Sequence, residues 1–572
     1  MFLYLIRGVA FMGNCMTSIK PFCIMSIILL FTVTCFAENP IVQTNFTADP
    51  APMVHNDTFY VYCGHDETDT GSTWFNMREW RLYSSVDMAN WTDRGSPMNL
   101  TAFGWANADA WAGQCVYRNG RFYFYVPVYH LTTKNRMIGI GVATKPTGPF
   151  TDALGTWLLS RYDCCYIDPT VYIDDDNQAY MYFGNPYCYW VRMNADMISY
   201  SGDTTRIPEN ATTFSNCYGE APWLYKRNGL YYLIWAADNS NGKENIRYST
   251  SPGPTGPWTY RGIIMPTEGL NWVRPCTSWT NHEGIVDYKG NSYFVYHNAG
   301  LPNSGTRGFT RSVCIEQFTY NADGTIPLIH MTLSGSPQIG TLNPYDTTQA
   351  ETICWETGVR TQVCSEGGMN VDSIHNGDYI KVKGVNFGTG ALSFIARVAS
   401  ATTGGNIELR LDTTTGTLVG TDTVVGTSGW QTWTTRTCTV TGATGIHNLF
   451  LRFTGGSGLL FNFNWWKFNS AVGIGSAIEK NAEYGNSLKI RTCPGNTASI
   501  QLDFGLSMLQ GEVRVCLFDL TGRLATTLFD GRLSSSQLIL PVNKEAMRPG
   551  MYIISVFLNN TVVVTGKSLI ID

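Results

Sequence analysis

The sequence repeats one pattern of residues five times between residues 48 and 298. Each copy has a short apolar run, a tight polar turn and a second run rich in aromatic residues, which is typical of a β-hairpin. Units of roughly 50–60 residues, all strand and without a helical period, predict a five-bladed β-propeller. The copies are ADPAPMVHNDTFYVY from Ala48, DAWAGQCVYRNGRFYFY from Asp109, YIDPTVYIDDDNQAYMYFGN from Tyr166, GEAPWLYKRNGLYYLIW from Gly219 and HEGIVDYKGNSYFVYHN from His282.

One residue opens each copy when the copies are aligned on the aromatic residue of the second strand. The first strand of a propeller blade lines the central axis, so these five residues are expected to converge there. Buried carboxylates that lie close together take different pKa values. One can then donate a proton while another stays ionised, as glycoside hydrolysis requires. The opening residues are Asp49, Trp111, Asp168, Glu220 and His282.

A structural explanation stands beside this catalytic one. An Asp before a Pro, as at Asp49 and Asp168, is commonly a turn or cap residue. The repetition of acidic positions in one register is the observation that favours catalysis. A polysaccharide-binding propeller without activity is the alternative from another functional class.

Composition and the N-terminus predict an exported protein of several β-rich domains. The chain has 572 residues, of which 44% are hydrophobic and 15% charged. A net charge of −5 gives no reason to expect a nucleic acid or an anionic membrane as partner. Residues 1–37 combine sparse positive charge with an apolar run and are interpreted as a signal peptide cleaved after Ala37, from an uncertain start methionine. The mature protein is expected to be secreted or attached to the cell surface, monomeric and without a membrane span.

Sixteen cysteines are present, and three of them lie in the predicted signal peptide. Thirteen remain in the mature chain, so at least one is free and the pairing of the others is open. Cys164 and Cys165 match no zinc-binding spacing, and a buried thiol or a disulfide explains them best.

Residues 38–341 resemble glycoside hydrolase family 43, most closely its arabinoxylan arabinofuranohydrolases. The motifs that carry the resemblance cover the whole domain in the expected order. They are ADPAP, GHDE from Gly64, ANADAWAGQ from Ala106, IDPTVYIDDD, EAPWLYKRNG, NHEGI from Asn281, and TRSV with YNADGTIP between Thr310 and Pro327.

The resemblance implies a role for several residues. Asp49 would be the general base, Glu220 the general acid and Asp168 the modulator of the pKa of the acid, in a reaction that inverts anomeric configuration. Arg311 would enter the pocket beside them. His282 would lie near a structural calcium ion, although calcium normally prefers oxygen ligands, so this metal rests mainly on the resemblance.

Aromatic residues near the repeats predict where a sugar stacks. Trp105 and Trp111 bracket the ANADA turn, and the C–H faces of a sugar ring pack on such rings. We expect Trp105 to be a surface platform for a xylan backbone.

The second domain, residues 349–470, alternates in short strands and is predicted to be a β-sandwich. It resembles carbohydrate-binding module family 6 through GDYIKV, ARVAS, GGNIELRLD, TSGWQTWTT and GIHNLFLRF. The resemblance implies that Trp430 stacks on a sugar, that Asn462 hydrogen-bonds it and that Glu351 helps to bind a structural calcium ion. Ser373 stands where these modules usually carry an aromatic residue, which predicts weak or altered binding.

Residues 471–487 are expected to be a linker, and residues 488–572 a small C-terminal β-sandwich. VCLFDLTGR, PGMYI and the terminal strand with Lys567 resemble the sorting domains of the type IX secretion system. A fibronectin-like spacer is the alternative.

The sequence therefore predicts a secreted, inverting hydrolase that removes arabinofuranosyl side groups from arabinoxylan. A β-xylosidase or an arabinan-cleaving enzyme would use the same three carboxylates, because the loops decide the substrate.

Overall fold

A computed structural model describes residues 39–67, 74–159, 166–237, 244–268, 280–301 and 309–470, together with C-terminal strands between residues 479 and 570. The predicted signal peptide, the Cys164–Cys165 pair and most of the predicted linker lie outside the described residues. Within the described ranges the protein is all-β, and the single helical element is a 3₁₀ turn at Leu100–Ala102. That part of the chain contains no helix with the length and apolar character needed to span a bilayer.

Five antiparallel sheets follow one another along residues 47–318. The first contains β1 (Thr47–His55), β2 (Thr58–His65), β3 (Glu79–Ser85), β4 (Trp91–Asp93) and β5 (Met98–Asn99). The second contains β6 (Ala106–Ala108), β7 (Gln114–Arg118), β8 (Arg121–His130), β9 (Arg136–Ala143) and β10 (Thr151–Asp152). The third contains β11 (Thr170–Ile173), β12 (Ala179–Phe183), β13 (Tyr189–Met193) and β14 (Tyr200–Arg206). The fourth contains β15 (Glu220–Arg227), β16 (Leu230–Ala237), β17 (Asn245–Ser251) and β18 (Thr259–Met265), and the fifth contains β19 (Glu283–Tyr288), β20 (Asn291–Asn298) and β21 (Ser312–Phe318).

Two-residue turns fix the register of the hairpin that opens four of these sheets. Both central residues of each turn have positive φ, as in Asn119 (φ 50°) and Gly120 (φ 80°) between β7 and β8. Asn and Gly tolerate this conformation, and its twist matches that of the flanking strands. The polar turn of the sequence repeat is therefore the element that sets the strand pairing.

The inner strand of each sheet is the first strand of its opening hairpin. The five inner strands contact one another in a closed ring. β1 contacts β7 and β19, β11 contacts β7 and β15, and β15 contacts β19. The segment before β1 runs along β21, where the Ile41 amide donates to the Val313 carbonyl (2.9 Å) and the Asn39 side chain accepts from the Ile315 amide (3.0 Å). The ends of this region are thus joined, and the inner strands surround a common axis.

Residues 348–470 form two packed sheets with one apolar core between them. Such packing of antiparallel sheets is a β-sandwich. One sheet contains β22 (Thr348–Gln349), β25 (Arg360–Val363), β26 (Met369–Asp372), β28 (Ala391–Ala399), β31 (Thr434–Thr439) and β33 (Asn462–Ser470). The other contains β24 (Trp355–Thr357), β27 (Tyr379–Asn386), β29 (Gly404–Leu411), β30 (Leu418–Val425) and β32 (Ile446–Gly455). β23 (Thr352–Ile353) leaves the sandwich and pairs with β4 of the first sheet.

The described C-terminal strands also form two sheets, which share a small apolar core. One contains β34 (Glu479–Lys480), β37 (Glu512–Asp519), β38 (Leu524–Arg532), β40 (Gly550–Leu558) and β41 (Thr561–Ile570). The other contains β35 (Leu488–Cys493), β36 (Ser499–Phe504) and β39 (Gln537–Pro541). Their role in sorting stays a prediction. Six cysteines of the described part are free thiols, and all of them except Cys438 are buried: Cys63, Cys115, Cys188, Cys364, Cys438 and Cys516.

Candidate active site

A cavity of about 320 Å³ lies where the inner strands converge, and all five opening residues of the repeats line it. The sequence prediction that these residues meet agrees with this placement. Arg311 also lines the cavity. The complete lining is Asp49, Trp74, Phe75, Trp111, Arg136, Ile167, Asp168, Asn185, Glu220, Thr280, His282 and Arg311.

Local backbone irregularities interrupt the inner strands beside the acidic residues. Asp49 (φ 51°) lies within a register shift between Ala48 and Ala51, and Ala221 (φ 55°) lies within the equivalent shift after Glu220. Asp168, which precedes Pro169, also has positive φ (56°). Bulges of this kind re-aim a side chain, and non-glycine residues with positive φ cluster at functional sites.

Arg311 joins two aspartates in a buried network. Its Nη1 donates to Asp49 Oδ1 (2.6 Å), while Nε and Nη2 donate to the two carboxylate oxygens of Asp66 (2.9 and 2.8 Å). Nη1 also donates to Thr280 Oγ1 (3.0 Å). This two-point contact with Asp66 fixes the plane of the guanidinium group and thereby the position of its charge beside Asp49.

Asp49 is 6% exposed, and its environment changes the acidity of its carboxyl group. Burial raises the pKa of Asp49 to about 6, although the Arg311 charge opposes the rise and the Asp66 charge adds to it. The Asp49 amide donates to His297 Nδ1 (3.0 Å), and His297 Nε2 contacts the Thr280 carbonyl. Nε2 therefore carries the proton. Burial also lowers the pKa of His297, so this ring is neutral.

Asp168 and Glu220 form a second acidic group in the cavity. Burial and the neighbouring Glu220 carboxylate raise the pKa of Asp168 well above its usual range. Asp168 Oδ2 accepts a hydrogen bond from the Ala221 amide (3.0 Å), and Asn185 Nδ2 donates to Glu220 Oε2 (3.0 Å). Because each of these carboxylates disfavours the negative charge of the other, the pair retains a proton more readily than isolated carboxylates do.

His282 and Glu283 extend the buried polar region around the axis. Burial and the Arg311 charge lower the pKa of His282 to about 3, so its imidazole is neutral. Glu283 is fully buried, and neither carboxylate oxygen has a hydrogen-bond partner among the described residues. Burial, with the Asp168 and Glu220 charges, raises the pKa of Glu283 well above its usual range, which favours its neutral form.

Aromatic rings form one wall of the cavity. The Arg136 guanidinium lies 4.0 Å from the centre of the Trp111 ring and forms an ion pair with Asp109 (2.9 Å). Phe75 packs edge-on against Trp111, and Trp74 is more than half exposed at the rim. Such rings provide stacking surfaces for a sugar.

Trp105, the predicted platform for a xylan backbone, is not among the residues that line this cavity. It is partly buried and packs against Phe103, His130 and Trp157, and its Nε1 donates to Asp152 Oδ2 (2.9 Å). Its ring is therefore mainly a packing element of the second sheet.

In the sandwich, Trp430 and Asn462 lie together. Asn462 is buried and its Nδ2 donates to the Trp430 carbonyl (2.7 Å), while the Trp430 side chain is half-buried. The side-chain amide of Asn462 thus holds the loop that carries Trp430. Ser373 has positive φ (56°), a conformation that is uncommon for bulky side chains.

The predicted calcium ligands do not assemble into a recognisable site. Calcium takes six to eight oxygen ligands in proteins. Across the described ranges, no three His, Cys, Asp or Glu side chains come together as a metal site. Burial raises the pKa of Glu351 to about 8. We derive no step through this metal.

Sequence reasoning missed several residues of the site. Asp66 and His297 lie at or just beyond the ends of second strands, outside the register that identified the opening residues. Asn185 follows β12, and Thr280 precedes the last repeat. Asp66 belongs to the GHDE motif quoted for the resemblance, which was the only available signal.

Hydrolysis of a glycosidic bond needs one carboxyl that is protonated and another that is ionised. The cavity holds carboxyl groups in different electrostatic environments beside rings that can stack on a sugar. The fold and the site together define a glycoside hydrolase.

Comparison with known proteins gives the family. Residues 37–326 match the family model for glycosyl hydrolases family 43, and residues 349–470 match that for carbohydrate binding module (family 6). The chain is 34% identical over 484 residues to an arabinoxylan arabinofuranohydrolase of Bacillus subtilis (strain 168), with 75% of this chain and 92% of that protein covered. It is 33% identical over 494 residues to an arabinoxylan arabinofuranohydrolase of Paenibacillus polymyxa, with 77% and 76% covered.

A crystal structure of a family 43 arabinoxylan arabinofuranohydrolase from Bacillus subtilis, in complex with cellotetraose, is similar with a TM-score of 0.68 and 32% identity. The match covers 76% of this chain and 99% of that chain. The chain belongs to glycosyl hydrolases family 43 and carries a family 6 carbohydrate-binding module.

Proposed function

We propose that the protein removes single α-L-arabinofuranosyl side groups from arabinoxylan, with inversion, on a five-bladed propeller. The observation that carries this proposal is the convergence of Asp49, Asp168 and Glu220 in one axial cavity with Arg311. The likeness to two arabinoxylan arabinofuranohydrolases over most of the chain supports the choice of substrate. The closed ring of inner strands supports the propeller with five blades.

Glu220 is the general acid in this proposal. It gives its proton to the glycosidic oxygen as the bond from that oxygen to the anomeric carbon breaks, so the xylan chain leaves with a neutral hydroxyl. The Asn185 amide, which donates to Oε2, orients the carboxyl group. Asp168 raises the proton affinity of Glu220 by its proximity.

Asp49 is the general base. It takes a proton from the water whose oxygen attacks the anomeric carbon from the opposite face, and arabinose leaves with inverted configuration. Arg311 holds Asp49 in place and lowers its pKa, so that the carboxylate is ionised at neutral pH despite burial.

The size of the axial cavity supports release of a single sugar. A volume of about 320 Å³ lies at the lower end of small-molecule sites. A side group enters such a cavity, whereas an internal stretch of polymer needs an open groove. The likeness to the arabinoxylan arabinofuranohydrolases supports arabinoxylan or a related plant cell-wall polymer as the polysaccharide partner.

Export, a sorting role for the C-terminal sheets and structural calcium are further parts of the proposal. The apolar leader supports export, and the sequence resemblances support the other two. Residue roles in the carbohydrate-binding module are proposed likewise, with Trp430 as the stacking ring.

Hydrolysis of nitrophenyl arabinofuranoside, nitrophenyl xyloside and arabinan under identical conditions tests the substrate class. We expect the arabinofuranoside to be cleaved fastest and free arabinose to appear from arabinoxylan. Faster cleavage of the xyloside, or extensive degradation of arabinan, would replace the proposal with one of its enzymatic alternatives.

A further inference from the structure

A second cavity, of about 500 Å³, lies between the fourth and fifth sheets, at the end of the inner strands away from the axial cavity. β15 begins at Glu220, which lines the axial cavity, and ends at Arg227, which lines this second cavity. A strand rises about 3.3 Å per residue, so β15 separates the two residues by roughly 20 Å. The two cavities share no lining residue. We call the second one the distal cavity.

The loop that follows β21 forms one wall of the distal cavity. It contains the YNADGTIP motif, which the proposed reaction does not use. The hydroxyl group of the buried Tyr232 donates to the Gly324 carbonyl (2.7 Å). Asp323 Oδ1 accepts from the amide and the hydroxyl group of Thr325 (3.0 and 2.6 Å). These contacts hold the loop in place, so the distal cavity is preformed.

Arg227 is fixed in the distal cavity without the use of its hydrogen-bond donors. Its guanidinium lies 3.9 Å from the centre of the Tyr320 ring, and the Tyr320 hydroxyl is hydrogen-bonded to the Tyr225 hydroxyl (2.8 Å). The guanidinium has no hydrogen-bond or ion-pair partner among the described residues. A guanidinium carries five N–H donors in one plane, and here the ring sets that plane. These donors are therefore oriented and available to a ligand.

The second sheet contains the same turn with a different outcome. Arg-Asn-Gly turns stand at 118–120 and at 227–229, and the Asn has a φ of 50° in both. Arg118 Nη2 donates to the Asn177 carbonyl in the opening turn of the third sheet (3.0 Å). The arginine of this turn can thus join neighbouring sheets, whereas Arg227 faces a cavity. The turn itself does not explain why Arg227 lacks such a partner.

The charges around the distal cavity balance one another. Arg227 and Asp323 are its charged lining residues. Hydrogen bonds from Thr325 and, to a smaller extent, the nearby Arg261 charge lower the pKa of Asp323, so its carboxylate is ionised at neutral pH. Asp287 lies behind the wall that the fifth sheet provides. Two positive and two negative charges leave no excess that would select an ionic ligand.

The polar groups of the distal cavity suit a sugar. Arg227 and the exposed Asn228 amide supply donors, while Asp323 Oδ2 and the side-chain carbonyl of Asn228 supply acceptors. A hydroxyl group both donates and accepts, so neighbouring hydroxyl groups of one sugar can bridge the cation and the carboxylate. Phe318 and Leu230 add apolar surface for the C–H groups of the ring. The volume falls within the range of about 300–1,000 Å³ that is usual for small-molecule sites.

We propose that the distal cavity is a second carbohydrate-binding site of the catalytic domain, which holds a short neutral segment of the polysaccharide through Arg227, Asn228 and Asp323. The identification of this polymer as a xylan rests on the proposed function. A protein that holds a polymer at two separate sites keeps a high effective concentration of substrate at each of them. The distal cavity would therefore retain the enzyme on the polymer between successive cleavages.

Calorimetry with β-1,4-xylohexaose tests this site. The parent protein is full-length D49N/W430A, in which the general base and the proposed stacking ring of the module are removed, and it should bind the hexaose. Adding R227A should weaken binding by fivefold or more. Adding N228G should weaken it by about threefold, because glycine keeps the positive φ of the turn and only the amide is lost. R118A, in the equivalent turn of the second sheet, is the matched control and should bind as the parent does.

Two results would overturn the inference: no binding of xylohexaose by the parent, or equal affinities of the parent and of both added variants. Binding of tri-galacturonate that R227A abolishes would also overturn it, since the site would then select an anion. The proposed function is tested separately, because this measurement needs no turnover. A protein that is inactive on every arabinofuranoside but binds xylohexaose through Arg227 would refute the proposed function and support the distal site.

Discussion

The axial cavity and the proposed sugar cleft of the module at Trp430 differ in how their polar groups are arranged. In the cavity, Asp49 and Arg311 are buried and held by charged partners. In the module, the half-buried Trp430 stands on a loop held by one amide of Asn462. Burial shifts pKa values and thus makes acid and base catalysis possible, whereas a partly exposed ring can only bind.

The largest effect should follow from removing the acid or the base of the cavity. We expect E220Q and D49N each to lower kcat on arabinoxylan by about 10²–10⁴-fold, the usual contribution of general acid–base catalysis. Nitrophenol leaves without a proton donor, so E220Q should lose much less on nitrophenyl arabinofuranoside, while D49N should lose similarly on both substrates. Initial rates of both variants on both substrates check this difference.

Activity of W430A on nitrophenyl arabinofuranoside is the control, and it should equal that of the wild type. Equal losses of E220Q on the two substrates would contradict the role of Glu220 as acid.

The next largest effect should be a loss of stability when Asp66, the partner of Arg311, is replaced. D66A leaves the buried guanidinium without its two-point partner, and breaking a buried ion pair costs about 3–5 kcal/mol. Denaturant unfolding of D66A should show this loss. D152A removes the acceptor of the Trp105 hydrogen bond at the periphery of the second sheet and should lose less free energy of unfolding. A larger loss in D152A than in D66A would show that the Arg311 network is not a main support of the site.

These two regions also show what the sequence could and could not predict. Register within the repeats identified Asp49, Asp168 and Glu220, because one residue per hairpin faces the axis. Asp66 and His297 lie at or just beyond the ends of second strands, where the register marks no axial residue, and only the folded ring brings them to Asp49. The packing of Trp105 depends on Asp152, which lies 47 residues away on another strand, and no local pattern encodes such a contact.

The attachment of the module to the first sheet was likewise beyond sequence reasoning. Thr352 and Thr92 lie in different domains, and they meet through the pairing of β23 with β4. The alternation of strands predicted the sandwich, but the attachment of a two-residue strand to another domain leaves no periodic signal.

The pH dependence of catalysis should follow the acidity of Asp49. The base works ionised, so kcat/KM should fall about tenfold per pH unit below the pKa of about 6. D66N removes a negative charge that raises this pKa, and should therefore shift the acid limb to lower pH. pH–rate profiles of the wild type and of D66N on nitrophenyl arabinofuranoside measure the acid limb of each protein. A shift of the acid limb of D66N to higher pH would contradict the role of Asp49 as the base.

The smallest effect should come from the cleft of the module. W430A should bind insoluble arabinoxylan about tenfold more weakly, equivalent to about 1.4 kcal/mol, because a half-buried ring contributes one stacking contact. L418A, which removes an exposed leucine from β30, is the matched control and should bind as the wild type does. Pull-down isotherms with intact W430A that equal those of the wild type would remove Trp430 from the binding site.

The central claim is that Asp49 and Glu220 cleave arabinofuranosyl side groups with inversion. Proton NMR of the anomeric signals during the first minutes of incubation with wheat arabinoxylan tests it most directly. The account predicts free arabinose that appears first in the β form, with the xylan backbone left long. Arabinose that appears first in the α form, or release of xylose and short xylo-oligosaccharides, would contradict it.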